Sequence, residues 1–235
     1  MDNIAGPPVE GENFFGRTDD VERIRTALRH HDVLLLGPRR VGKTSVARAV
    51  MAAAGREQWR TIEINVASSM DERGFLEKLE RALRDEVNSA ASRWGAAMKA
   101  SFGAFAARIK SVKVPIPGAG SLGLDLGEAQ AEDWTQVAGE VLTMLAGLEE
   151  RWLIYIDELP IFLYNIIGND PTTGVRRVRR FLDWFRNDVR NLPGSGQVRW
   201  LVSGSFGLDT LVQQHGMADT INSLKHDALP AFSRP

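Results

Sequence analysis

Cysteine is absent from the chain. Disulfides, thiol nucleophiles and thiolate metal sites are therefore excluded. Four scattered histidines do not supply the ligand spacing of a zinc site. An excess of basic charge is also missing: the formal net charge is −1, so no global signal marks a nucleic-acid binder. No apolar run approaches the about 18 residues of a membrane span. No basic head followed by an apolar run marks a signal peptide at the N-terminus. A cytoplasmic protein without membrane contact is the expectation. Internal repeats are lacking too. What remains is a 235-residue chain with 43% hydrophobic residues, enough for one α/β domain, with or without a small appendage, around a sizeable core.

The rest of the chain is organised around Asp32-Val-Leu-Leu-Leu-Gly-Pro-Arg-Arg-Val-Gly-Lys-Thr-Ser45. Val33 to Leu36 form a short continuous apolar run, as in a strand buried on both faces. Gly37 and Gly42 bracket four residues, and Lys43-Thr44 follow. This is the phosphate-binding pattern G-x-x-x-x-G-K-[ST]. The glycines admit backbone angles closed to other residues, so several N–H groups can converge on one anion. Lys43 would reach the β- and γ-phosphates, and the Thr44 hydroxyl would sit on Mg²⁺. Ser45 to Met51 have helical character, which sets the phosphates at a helix N-terminus. The candidate phosphate cradle is Gly37, Pro38, Arg39, Arg40, Val41, Gly42, Lys43, Thr44 and Ser45.

Residues 1–12 read as a flexible lead-in. Phe14-Phe15-Gly16-Arg17 precede Thr18, a candidate cap for a helix carrying Val21, Ile24 and Leu28. These residues are either an aromatic staple or a surface beside a nucleotide base. Trp59 to Val66 alternate as a second strand. Ser69 or Asp71 can start a long helix through Phe75, Leu76, Leu79, Leu83 and Val87. Residues 100–127 look inserted: Ile109 to Ile116 and Ser121 to Leu126 alternate around Pro117-Gly-Ala-Gly120, a hairpin signature. A surface loop is the other reading of that stretch. Trp134 to Leu148 form an amphipathic helix.

Trp152-Leu-Ile-Tyr-Ile-Asp-Glu-Leu-Pro160 supplies the second half of a site. A carboxylate at the end of a buried strand is costly unless it serves a cation. Asp157 would hold Mg²⁺, and Glu158 would polarise the attacking water. Next, Val175, Val178, Leu182, Phe185 and Val189 share one helical face, and Arg176, Arg177, Arg179, Arg180, Arg186 and Arg190 crowd the rest. That basic helix is a solvated face, a surface for DNA or an acidic partner, or the source of one arginine for a neighbouring subunit's nucleotide. Val198 to Ser205 read as a fourth strand whose Ser203 and Ser205 reach the ligand-binding edge of an open α/β sheet. Ile221 to Leu229 could add a fifth.

The lead Phe15-Gly16-Arg17, the loop Gly37 to Ser45, Tyr155-Ile-Asp-Glu-Leu-Pro160 and Trp200-Leu-Val-Ser-Gly-Ser205 together resemble P-loop ATPases of the AAA+/STAND type, closest to the archaeal–bacterial ATPase group. The resemblance implies a three-layer α/β/α sandwich over residues 13–235 with a parallel five-stranded sheet in the order 2-3-1-4-5. It implies that the fourth strand separates the Walker A strand from the Walker B strand. It implies Phe15, Gly16 and Arg17 beside the adenine and ribose, and Ser203 or Ser205 as a γ-phosphate sensor. The lid that such proteins carry is absent after residue 230, which suggests a truncated chain or a short member. The expected activity is Mg²⁺-dependent ATP binding and hydrolysis to ADP and phosphate in a switch or motor module, with Lys43, Glu158 and Ser203 or Ser205 in catalytic roles. Turnover is expected to be slow until self-association or a partner supplies an arginine. The alternative is a nucleotide-gated module that binds protein or DNA, with hydrolysis incidental.

Overall fold

Side chains alternate across a β-strand, and this parity divides the molecule. The computed structural model describes residues 16–89, 96–112, 133–148, 150–191, 195–204 and 207–231. Its strands are β1 (Val33–Leu36), β2 (Arg60–Asn65), β3 (Trp152–Asp157), β4 (Val198–Ser203) and β5 (Lys225–Ala228). Val33, Leu35, Leu153, Tyr155 and Leu201 face helices α1 (Thr18–Leu28) and α2 (Lys43–Arg56). Leu34, Ile62, Ile64, Trp152, Ile154, Ile156, Trp200 and Val202 face the larger layer. That layer includes α3 (Glu72–Ser89), α4 (Ala96–Ser111), α5 (Trp134–Ala146), α6 (Leu159–Asn169) and α7 (Gly174–Asp183). Two short helices, α8 (Val189–Asn191) and α9 (Leu208–Gln214), complete the set. Burial on both faces explains why β1 and β3 read as unbroken apolar runs.

All strand pairs are parallel, and the sheet order is β2-β3-β4-β1-β5. The expected order 2-3-1-4-5 is therefore corrected to 2-3-4-1-5. The expectation that β4 lies between β1 and β3 holds: Leu35 is opposite Ser203, and Ile156 is opposite Val202. Asp32 pins the start of this arrangement. Its carboxylate accepts the Trp200 N–H at 3.0 Å, and its carbonyl accepts the Lys225 N–H at 2.8 Å.

Residues 100–111 are helical, which corrects the first half of the expected hairpin. Phe105, Ile109 and Val112 are buried at i, i+4 and i+7, a helical face that runs into the expected alternating stretch Ile109 to Ile116. The second half of that expectation, residues 113–127, lies outside the described residues. Thr18 is the first residue of α1 and Arg17 occupies the cap position without a side-chain cap bond. Asp71 does cap α3, accepting the Gly74 N–H at 2.8 Å.

The larger layer is knit by aromatic rings. Phe181 lies 5.1 Å from Phe75, 5.2 Å from Phe162 and 5.6 Å from Trp134, each within the range where ring pairs add to area burial. A π-helical turn, Trp184–Asp188, follows α7 and lets the consecutive Trp184 and Phe185 both turn inward. The basic helix is tied down by Arg177, which is buried and makes a two-point contact with the buried Glu72 at the start of α3, with Asp170 beside it. Replacing one member of a buried pair strands the other. Arg177→Ala is expected to lower stability by about 3 kcal/mol, or roughly 6–12 °C in Tm for a domain of this size. Thermal melting checks this; a loss under about 1 kcal/mol would rank the pair with ordinary surface ion pairs.

Candidate functional site: a phosphate loop facing a strand-end carboxylate

The loop between β1 and α2 depends on backbone angles that side chains resist. Gly37 has φ 152° and Gly42 has φ 91°; between them, Arg40 adopts φ 63°. A Cβ built on Gly37 would lie 2.8 Å from the Leu229 carbonyl oxygen. That residue is locked in place, because the Leu229 N–H donates to the Leu36 carbonyl at 2.8 Å. Gly42 has open space around it, so only its backbone angle demands glycine. It is the cap residue of α2, and the helix begins directly at Lys43.

Lys43 is buried, and its ammonium donates to the Gly37 and Pro38 carbonyls, each at 2.7 Å. Burial depresses its pKa, against the charges of Glu158 and Asp157, which hold it up. The Thr44 hydroxyl donates to Asp157 Oδ2 at 3.3 Å. Asp157 ends β3 and is buried; its Oδ1 also accepts the Glu158 N–H at 3.1 Å. Glu158 is half-buried, adopts φ 61°, and caps α6, which has Pro160 in its first turn. Lys43, Thr44, Asp157 and Glu158 are thus gathered as the spacing implied.

Ser203 is fully buried at the end of β4, and its hydroxyl donates to Asp157 Oδ1 at 2.7 Å. The Tyr155 hydroxyl lies 2.8 Å from Ser203 Oγ. Burial, then the Asp157 charge, raises the phenol pKa above its ordinary value, so Tyr155 remains a neutral donor. Sequence reasoning passed over Tyr155 because it stands inside an apolar run. The signal for it was the two-residue spacing to Asp157, which sets both on one sheet face.

Arg17 is almost fully buried. It donates to Asp20 at 2.9 Å, to the Val41 carbonyl of the phosphate loop at 3.2 Å and to the Pro230 carbonyl at 2.7 Å. Its described contacts brace the loop against the exit of β5. Arg23 reinforces this brace with a two-point contact to Asp227 of β5, at 2.8 and 3.1 Å. Gly16 is exposed with φ 72°. Phe15 and Ser205 lie outside the described residues. Of the basic helix, Arg179 and Arg186 bond Asp219 at 3.2 and 3.1 Å, and Arg180 bonds Asp133. Much of its charge is met by acids of its own chain.

The parallel sheet, the phosphate loop and the opposed carboxylate define a P-loop nucleotide-binding fold. The chain belongs to the AAA ATPase domain family, whose model matches residues 13–191. A search of curated proteins finds no match. Among solved structures, the chain is similar to the Walker-type ATPase PABY2304 of Pyrococcus abyssi, with 17% identity and a TM-score of 0.54, covering 98% of this chain and 58% of that one. It is also similar to the Aeropyrum pernix ORC2 protein in ADPNP–ADP complexes, with 12% identity and a TM-score of 0.56, covering 99% and 51%. These likenesses show the fold. The chain spans only between half and three fifths of their length.

The two glycines should respond differently to a methyl group. Gly42→Ala is expected to cost about 1–2 kcal/mol, the strain of its positive φ alone. Gly37→Ala is expected to cost more, because the Leu229 backbone must also move. Urea unfolding of both variants measures this, and equal losses would dismiss the Leu229 contact.

Proposed function

We propose that this AAA ATPase domain binds ATP with Mg²⁺, hydrolyses it to ADP and phosphate, and serves as a conformational switch or motor module. The observation that carries the reading is the Thr44–Asp157 contact, which joins the start of α2 to the end of β3 across an intervening strand. Its donors are hard oxygens, the set that suits Mg²⁺ with several retained waters. Among the described residues no group of three or more His, Cys, Asp or Glu offers a competing metal cage. Thr44 and Asp157 would hold the ion, which when bound would supply charge neutralisation at the phosphates.

The chain's own residues divide the remaining work. The Lys43 ammonium exchanges its two loop carbonyls for phosphate oxygens, so it enters the reaction already aimed. Loop N–H groups at the N-terminus of α2 receive the anion. Glu158 follows the metal-binding carboxylate in a strained backbone conformation, as groups at reaction centres often do, and orients the attacking water. Catalysis of this kind is positioning and electrostatics. A dilute chain is therefore expected to turn over slowly, with an arginine from a second copy or a partner raising the rate. The internal pairing of Arg179, Arg180 and Arg186 weighs against DNA contact through the basic helix. It leaves protein association as the better supported use of a nucleotide-driven change.

Thermal melting with Mg²⁺ and ATP tests the reading. At a hundredfold Kd the ligand adds about 2.7 kcal/mol, or roughly 5–10 °C. Lys43→Ala is expected to abolish the shift. Glu158→Gln is expected to keep the shift and lose phosphate release; unchanged release would instead favour a binding module in which hydrolysis is incidental.

A further inference from the structure

We infer that Tyr155 and Ser203 are positioning residues for the metal-binding carboxylate: a relay of hydroxyls from Tyr155 through Ser203 to Asp157 holds its rotamer and sets the affinity for Mg²⁺ rather than for nucleotide. The inference rests on the ATP reading above and assigns a task to two side chains that would otherwise be core filling and a phosphate sensor.

The argument is a proton count. Three hydroxyls, Tyr155, Ser203 and Thr44, surround one carboxylate, and each carries a single proton. Thr44 gives its proton to Asp157 Oδ2, and Ser203 gives its proton to Oδ1. The Ser203 oxygen then has only lone pairs left to offer, so the Tyr155 O–H must be the donor across the 2.8 Å between them. The direction of every bond is fixed, and all of them end on Asp157. Oδ1 also takes the Glu158 N–H. That oxygen takes two protein donors, while Oδ2 takes the longer 3.3 Å bond from Thr44. Rotation of the carboxylate out of this plane would break the stronger pair of bonds. The relay therefore presents Oδ2 on the side of Thr44, where a metal would be held.

A direct sensing role for Ser203 fits the geometry less well. Its side chain is 0% exposed and its proton is committed. Any response to the γ-phosphate passes through Asp157. Tyr155 is also 0% exposed, and its ring belongs to the core beneath α2. Only its hydroxyl takes part, and removal of that one oxygen leaves the packing intact. This makes Tyr155→Phe a clean probe. Outer-shell partners of this kind tune metal affinity by large factors while leaving the ligands in place.

The test is a Mg²⁺ titration of the chain with a fluorescent, non-hydrolysable ATP analogue, set beside binding of the same analogue in EDTA. Ser203→Ala is expected to raise the Mg²⁺ midpoint about tenfold, and Tyr155→Phe about threefold. The double variant is expected to match Ser203→Ala within about twofold, since the 2.8 Å bond to Ser203 is the main route from Tyr155 to the carboxylate. Binding in EDTA is expected to stay at the wild-type value. Superimposable Mg²⁺ curves, additive effects in the double variant, or an equal loss in EDTA would each overturn the relay. A wild type that binds no analogue would overturn the ATP reading itself, and the relay with it. Melting without ligand reports whether each variant folds; should Ser203→Ala fail to fold, Tyr155→Phe, which keeps its ring, decides alone.

Discussion

The carboxylate of Asp157 must stay aimed while it is almost wholly removed from water, and much of the surrounding structure answers to that demand. Burying a carboxylate without partners is costly. Here it accepts from a backbone N–H and from the hydroxyls of Thr44 and Ser203. Sheet order makes this arrangement available. β4 lies between the strand that leads into the phosphate loop and the strand that ends in Asp157. Neighbouring strands are about 4.8 Å apart, so those two strands are about 10 Å apart. The last residue of β4 fills the interval, and in this chain it is a serine. With β1 directly beside β3, Ser203 would have lain beyond the loop and could not have reached the carboxylate.

The phosphate loop has a support of its own, and it comes from distant parts of the chain. Val41 is held by Arg17, which also holds Pro230; Gly37 has no side chain because Leu229 occupies that space. Asp20 receives both Arg17 and Arg23, and Arg23 continues to Asp227. The first two turns of α1, the loop and the end of β5 are thus one mechanical unit.

The readable features of the sequence were those with fixed local spacing. The glycines, Lys43 and Thr44 sit at intervals set by the geometry of an anion cradle, and β1 and β3 show as apolar runs because both their faces are covered. Lateral strand order leaves no such trace, since adjacency in a sheet is independent of distance along the chain. Arg17 was visible as part of a motif, but its partners lie 24 and 213 residues away, so its bracing role was not. Arg177 stood in a row of similar arginines, and only the fold shows that it turns inward to Glu72. The end of α4 was obscured because Val112, Val114 and Ile116 alternate, and Ile109 shows its helical spacing to Val112 only when read with Phe105. Phe15 and Ser205 remain expectations from the motif.

Strand parity separates stability from chemistry. The even-numbered residues of β3 and β4 enter the larger core, where rings from α3, α5, α6 and α7 interlock. The odd-numbered residues of the same strands turn to α2, and there Tyr155, Asp157 and Ser203 follow one another toward the sheet edge. Strain gathers on this second side: among the described residues, two of the three non-glycine residues with positive φ, Arg40 and Glu158, belong to the site. Such conformations persist only where the surroundings over-determine them. A short strand saturated with apolar contacts on one face can hold a carboxylate, two hydroxyls and a strained turn on the other, because the energy that keeps the backbone straight comes from the side where no chemistry takes place.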